Sequence, residues 1–471
     1  DDNRGNGTRR RGDKCLAVSF LVVSLRRNPV EIRNGRATVT RENGKSGTAG
    51  EDHPKRTRHP GLVINVELTR TLAALAAVAL LSLTACAQTS QTEGGASSSP
   101  AGIGSDGCVT QYDANADYFP EKTSFSHATG VTVEYHGSYK TVTVKEPLQG
   151  ASPETYVLVQ CGANPELPSE LANAQRISIP VHRAATSSTT QLPAFDLLGA
   201  TDSLAAVQSP AFVWSEPITK LIADGKIVGF GNESNGINVE TLAAATPDLF
   251  FSSGTPDPAY DKIRELKIPV VGNSEWLENT PLGRSEWLKF TALFTNTEGT
   301  ANQVFQKIES DYTAVKDKVQ QTTERPTAIT GAPFNGEWAR PGGRSYVAAF
   351  LADAGMTYVF ADDESNSSIP TAIETMLEAG ARADIWLNAD MMKKWPTISA
   401  IGTDDPRLVT IKAAQDGRVY NPTKRINAAG GNDYWEQGVV RPDLVLRDLA
   451  KAAHPELFAD QDYTFYEQLP A

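Results

Sequence analysis

The chain has 471 residues, 40% hydrophobic and 21% charged, a composition that excludes a disordered chain or a membrane-helix bundle and fits two or three globular domains. The formal net charge of -12 conceals a split: residues 1–85 hold 15 Lys/Arg against 8 Asp/Glu, and the 29 basic and 48 acidic residues beyond them leave a net of -19. A surface that acidic repels phosphate backbones, which argues against nucleic-acid binding.

Residues 1–65 are rich in Arg, Gly and Asn and carry no amphipathic period, so they are read as a non-native, disordered N-terminal extension. The first Met is Met356, and an alternative start at Val63 or Val66 would give a signal of ordinary length. Residues 66–85 are expected to be a signal peptide. Positions 72–83 (LAALAAVALLSL) are an apolar run behind Arg70. The run is too short to span a bilayer, which takes about 20 residues, and small residues follow it. The tetrad Leu83-Thr84-Ala85-Cys86 resembles the lipobox of bacterial lipoproteins. The resemblance implies that Cys86 is diacylated and becomes the mature N-terminus; two acyl chains anchor stably where one does not. Residues 86–107 have the Gly/Ser-rich composition of a flexible tether. The mature protein is therefore expected outside the cell, held to the outer face of the cell membrane by Cys86.

Of four cysteines, Cys15 falls in the extension and Cys86 takes the lipid, leaving Cys108 and Cys161 in the exported part. Two remaining thiols in an oxidising compartment are expected to pair.

The mature chain opens with β-rich sequence: 131–135, 140–144 and 155–160 alternate or run apolar between turn residues. Strands and helices then alternate. A strand is expected over 177–181, helices over 189–198 and 239–245, a strand over 248–252, a helix over 258–266 and a strand over 268–271. Short strands separated by helices point to parallel α/β layers. Residues 299–321 break the alternation. Ala301, Val304, Phe305, Ile308, Tyr312, Val315 and Val319 form one helical stripe, long enough at about 35 Å to bridge two domains. Beyond it, strands are expected over 327–330, 357–360, 384–387 and 419–420. Helices are expected over 345–354, 373–377, 406–414 and 442–453. The segment Glu240 to Phe251 is echoed by Glu374 to Leu387: a short helix delivers an Asp-led apolar strand in each, as if one βαβ unit were used once per half. The fold class is α/β, with two Rossmann-like lobes, 108–298 and 322–471, joined by the helix 299–321, and an extra β-rich segment at the start of the mature chain.

In this order, Gly199 to Leu204, Asn238-Val239-Glu240 before Thr246-Pro247-Asp248-Leu249, Ser345-Tyr346 through Ala354-Gly355, and Arg441-Pro442-Asp443-Leu444 resemble the ABC-transporter solute-binding proteins for ferric siderophores and cobalamin. The resemblance covers about residues 108–460. It implies two Rossmann-like lobes on one rigid helix, a ligand in the cleft between them and ABC permease subunits as partners, the protein itself a monomer and not an enzyme. About forty residues, 140–177, depart from the family's usual first lobe and mark a distinct subgroup.

Ligands of two-lobed α/β proteins sit at loops beyond strand C-termini. In the first lobe that nominates Thr189 in the hydroxyl-rich stretch 183–190, with Trp214, Phe230 and Trp276. In the second it nominates Phe334, Trp338, Arg340, Arg344, Tyr346 and Trp435. Aromatics offer rigid faces to an organic chelate and arginines offer charge to an anionic ferric complex. The six His are scattered without ligand spacing, so direct metal coordination is not expected; an iron(III)–siderophore complex would bring its metal inside the chelator. Glu240 and Glu374 are candidates for docking basic residues of the permease. Cobalamin and haem are alternative ligands of the same fold. A lipid-anchored surface enzyme is disfavoured because GxSxG, HExxH, P-loop and GxGxxG motifs are missing.

Overall fold

Gly137, at φ +71°, turns strand β1 (Val131–Tyr135) into β2 (Tyr139–Val144) with a backbone conformation that L side chains rarely adopt. In the computed structural model this is the first hairpin of named strands; residues 102–232, 236–334 and 336–471 are described, and the expected extension, signal peptide and Cys86 lie outside them. Strand β3 (Glu154–Gln160) pairs antiparallel with β2, and β4 (Gln175–Ile179) pairs parallel with β3. These four strands are the expected extra β-rich segment.

Three devices fasten this sheet. Cys108 and Cys161 form a disulfide. Lys140, fully buried, reaches the Glu298 carboxylate and donates to Leu293 O at 2.9 Å and Asn296 Oδ1 at 2.8 Å. Two buried carboxylates also take five consecutive backbone N–H groups. Glu286 Oε2 accepts from Ser126, His127 and Ala128, and Glu278 Oε1 accepts from Thr129 and Gly130, all within 3.0 Å. That satisfies an irregular stretch that no sheet could pair.

The first lobe alternates β5 (Ala184–Thr186), α1 (Leu192–Leu197), β6 (Leu204–Val207), α2 (Glu216–Ala223), β7 (Val228–Gly229), α3 (Val239–Ala244), β8 (Leu249–Ser252), α4 (Ala259–Glu265) and β9 (Val270–Gly272). The strands run parallel in the order β7-β6-β5-β8-β9. Both faces are covered, which is why the strands read as unbroken apolar runs such as Leu249-Phe250-Phe251. Phe250 packs on the α3–α4 side, and Phe251 on the other, against α1 and the helix α6 (Leu288–Thr295) that follows α5 (Pro281–Glu286), edge-on to Phe294 at 5.1 Å. The helix expected over 189–198 starts as a 3-10 turn capped by Ser188, and Pro193 opens α1 proper.

Helix α7 (Glu298–Val319) has the expected stripe, and its two ends belong to different cores. Ala301, Phe305 and Ile308 are buried with Phe290 and Phe294 of the first lobe; Tyr312 and Val319 are buried with Phe350, Leu446 and Leu449 of the second. At 22 residues it is about 33 Å long.

The second lobe holds β10 (Thr327–Thr330), the small strands β11 (Pro333–Phe334) and β12 (Glu337–Pro341), α8 (Tyr346–Asp353), β13 (Thr357–Tyr358), β14 (Ser368–Thr371), α9 (Ile373–Gly380) and β15 (Ile385–Leu387). It continues with α10 (Ile398–Asp404), α11 (Lys412–Gln415), β16 (Val419–Asn421), α12 (Asp433–Val440), α13 (Pro442–Ala453) and β17 (Glu467–Gln468). The main sheet is ordered β13-β10-β15-β16-β17, parallel except for β17, and β11-β12-β14 form a separate antiparallel sheet. The helix expected over 406–414 is corrected to a 3-10 turn and the single-turn α11. Between the two, Ile411 takes extended backbone, φ -61° and ψ 127°, which interrupts the helical run.

The sequence echo is a topological equivalence. β8 and β15 each flank the first strand of their lobe. Asp248 Oδ2 accepts the N–H groups of His182 and Arg183 ahead of β5, and Asp384 Oδ2 accepts the N–H of Thr327 opening β10, all at 2.9 Å. The same residue does the same job in both lobes.

Candidate functional site

The C-terminal ends of the parallel strands are where backbone leaves the sheets and loops collect, and here the two lobes meet. From the first lobe come the loop after β5, the segment 208–215 after β6, and the segment 273–280 leading from β9 into α5. From the second come the segment 422–432 after β16, the first turn of α12 and the start of α8. Asn427 Nδ2 donates to Ala211 O at 3.0 Å, and Trp214 Nε1 donates to Gly431 O at 2.7 Å. Glu436 Oε2 accepts Trp214 N–H at 2.8 Å and its Oε1 accepts Ser215 N–H at 2.7 Å. Ser285 Oγ donates to Val440 O at 2.6 Å. A Cβ on Gly431 would stand 2.3 Å from Phe212 O, so the lobes approach backbone to backbone where only Gly fits. Packing crosses too: Val440 lies in the first lobe's core, and Leu282 packs against the second's. Two open concavities, about 460 Å³ beside Ile398 and Gly402 and about 320 Å³ beside Cys161, lie elsewhere.

At the centre of the junction Arg284 of α5 is buried. Its Nη2 pairs with Glu275 Oε2 at 3.1 Å and its guanidinium stacks on the Tyr346 ring at 4.3 Å. Burial alone would disfavour its charge, but Glu275 beside it reverses the sign and holds it ionised. Tyr434 packs behind, edge-on to Tyr466 at 5.8 Å, whose hydroxyl donates to Asn388 Oδ1 at 2.8 Å. Burial raises Glu436 to about 7; its two N–H bonds act against that rise, and Asp433 and Asp196 add to it. Burial likewise raises Asp433, partly offset by Arg425, whose Nε lies 2.8 Å from it.

The nominated residues divide. Trp214 bridges the lobes and carries the Arg425 guanidinium 5.3 Å over its ring; Tyr346 carries that of Arg284. Trp276 sits half-buried after β9, its Nε1 bonded to Ser253 O at 2.9 Å, and Thr189 is half-buried beyond β5. Trp435 is half-buried on α12, edge-on to Tyr434 at 5.0 Å. Phe334 is exposed on β11, and Arg344 is exposed and paired with Glu364. Arg340 is paired with Asp363 at 2.9 Å and stacked on Phe360.

Two nominations are corrected. Phe230 is wholly buried against Phe250, and Trp338 is wholly buried against Trp386 with its Nε1 bonded to Thr330 O. An apolar ring beside a sheet gains more from the core than from a loop surface. Sequence reasoning missed Gln191, Asn273, Glu275, Arg284 and Glu436, whose spacing carries no pattern. Glu240 and Glu374 are exposed in the first turns of the equivalent helices α3 and α9.

Comparison with known proteins gives this geometry a context. A family model described as periplasmic binding protein matches residues 184–425, more than half of the chain. An uncharacterized lipoprotein of Methanocaldococcus jannaschii is 29% identical over 309 residues, covering 62% of this chain and 70% of the relative. A second from the same organism is 27% identical over 332 residues, covering 67% and 80%. Among solved structures, a possible iron-binding (periplasmic solute-binding) protein from Staphylococcus epidermidis aligns with a TM-score of 0.46 and 15% identity, over 57% of this chain and 98% of that one. With its two α/β lobes built on one helix and its match to that family model, the chain belongs to the periplasmic binding protein family, a family of extracytoplasmic solute-binding proteins.

Proposed function

We propose that this protein is the lipid-anchored, solute-binding component of an ABC importer, and that it captures an iron(III) chelate of the siderophore type between its lobes. The observation that carries the reading is the junction: two lobes of like topology share helix α7 and face each other with their strand C-terminal ends, the position where α/β proteins bind ligands. Trp214, Trp276, Tyr346 and Trp435 supply flat rigid surfaces there, which suit a bulky organic complex. Thr189 adds a hydroxyl beyond β5. The metal stays within its chelator, so the protein meets only the organic shell of the complex. Phe334, Arg340 and Arg344 belong to the rim of the second lobe in this reading.

Glu240 and Glu374 dock basic residues of the permease, one acid per lobe. Cys86 carries the lipid that keeps the receptor at the outer face of the membrane. The protein works as a monomer, one ligand per chain, without turnover.

Titration with a panel of ferric siderophores, haem and cobalamin, followed by intrinsic fluorescence, tests this. Seven Trp give the signal. Saturable binding of a ferric complex at one per chain is the expected result; a response to haem or cobalamin alone replaces the iron chelate with that ligand, and silence throughout removes the receptor reading.

A further inference from the structure

We infer that the first lobe recognises an uncharged hydrogen-bonding edge of the ligand, of carboxamide type, through Thr186, Gln191, Ser252 and Asn273. This rests on the proposed chelate-binding role and specifies the chemistry the ligand must present.

Buried polar side-chain atoms almost always have partners, and each exception calls for a reason. Among the described residues of the first lobe the exceptions are Thr186 Oγ1, Ser187 Oγ, Gln191 Oε1, Ser252 Oγ, Asn273 Oδ1 and Arg284 Nε. They are not scattered. Thr186 ends β5, Ser252 ends β8, and Asn273 follows β9, three strands adjacent in the sheet. The register joins Thr186 to Phe251 and Phe251 to Val271, so by alternation Thr186 and Asn273 lie on one face, with Ser252 on the other. Gln191 spans them: its Nε2 donates to Ser252 O at 2.9 Å, the carbonyl that also accepts Asn273 N–H at 3.2 Å. The set therefore straddles the strand ends, on the side of the lobe that meets α12. Arg284 belongs to the junction itself.

The composition of the set decides the ligand chemistry. Gln191 Nε2 already donates to a carbonyl, and the unpartnered atom of its amide is Oε1, an acceptor, which a carboxylate or other oxyanion would not approach. The hydroxyls of Thr186 and Ser252 can donate or accept. The arginines named above are already committed to carboxylates. Arg284 is neutralised by Glu275, Arg425 by Asp433, Arg340 by Asp363 and Arg344 by Glu364. Among the described residues no group of three or more His, Cys, Asp or Glu could hold a metal ion either. A neutral edge bearing both N–H or O–H donors and C=O acceptors satisfies the orphaned atoms.

The test is a comparison of edges on the whole chain by fluorescence titration: a neutral ferric trihydroxamate whose scaffold carries free amides, cobalamin with its carboxamides, an anionic ferric tricatecholate, ferric citrate and haem. The trihydroxamate, or cobalamin, is expected to bind at least tenfold more tightly than the anionic compounds. Gln191→Leu and Thr186→Val are each expected to weaken that binding about tenfold or more, because a desolvated ligand group loses its partner. Thr186→Val conserves shape and guards against a misfolded Gln191→Leu. Anionic chelates binding as well as neutral ones, or unchanged affinity in a folded Thr186→Val and Gln191→Leu, overturns the inference while leaving the iron-chelate reading intact. Tight binding of cobalamin alone overturns iron and keeps the neutral edge. No binding by any compound overturns both.

Discussion

The carboxylate of Glu436 in the second lobe accepts the backbone N–H of Trp214 in the first at 2.8 Å, and Ser215 N–H joins it at 2.7 Å. One acid of α12 thus caps the loop that opens α2, and it does so while buried. Its folded value of about 7 lies above the ordinary 4.5, with burial the leading cause. The native state therefore holds the proton more tightly than the unfolded chain, so this contribution to stability is full below the ordinary value and is lost as pH rises through 7. The loss is on the order of 3 kcal/mol. Denaturant unfolding at pH 5 and pH 8 should show it, and Glu436→Gln should flatten the difference. Equal slopes in both proteins would remove Glu436 as the source.

Gly431 is the next point of contact. Gly431→Val places a side chain where Phe212 O now stands, so the lobes must separate or the loop must shift. Ligand affinity should fall at least about tenfold, since even an ångström-scale misplacement at a site is expensive. The radius of gyration from solution scattering should grow. Unchanged affinity and dimensions would mean that the junction tolerates the loop's displacement.

Lys140 and Glu298 lock the extra sheet to the start of α7 from inside the protein. Lys140→Met leaves Glu298 buried without a counter-charge and should cost about 3–5 kcal/mol in unfolding free energy. Adding Glu298→Gln should recover a good part of it. A double-mutant cycle without coupling would show that the two charges act independently.

The Cys108–Cys161 bridge spans a sequence separation of 53. In the chain-entropy model its removal costs about 4 kcal/mol. The double variant Cys108→Ser, Cys161→Ser should unfold at correspondingly lower denaturant. Wild-type midpoints in that variant would assign the segment's stability to its carboxylate-capped backbone instead.

For the proposed docking acids the expected result is a separation of effects. Glu240→Gln and Glu374→Gln are expected to leave ligand affinity unchanged because both side chains are exposed. Uptake by the reconstituted importer should drop in each variant and further in the pair. Normal uptake in the double variant would place docking elsewhere.

Local patterning was enough for some of this molecule. The stripe from Ala301 to Val319 announced a bridging helix because apolar residues at helical spacing have one common face to bury, and α7 buries it in two cores. The echo around Asp248 and Asp384 was legible because a strand-opening backbone needs the same carboxylate cap in each lobe. The cysteine pairing followed from compartment and number. The junction was not legible. Arg284 and Tyr346, or Trp214 and Glu436, are brought together only when sheets, helices and α7 have packed, and no spacing in the chain encodes distances across two lobes. Phe230 and Trp338 mark the same limit from the other side: a ring in a loop-like stretch reads as a surface for ligand until tertiary packing supplies a deeper place for it. Periodicity reports which faces must be buried; only the folded arrangement decides which polar atoms are left without partners.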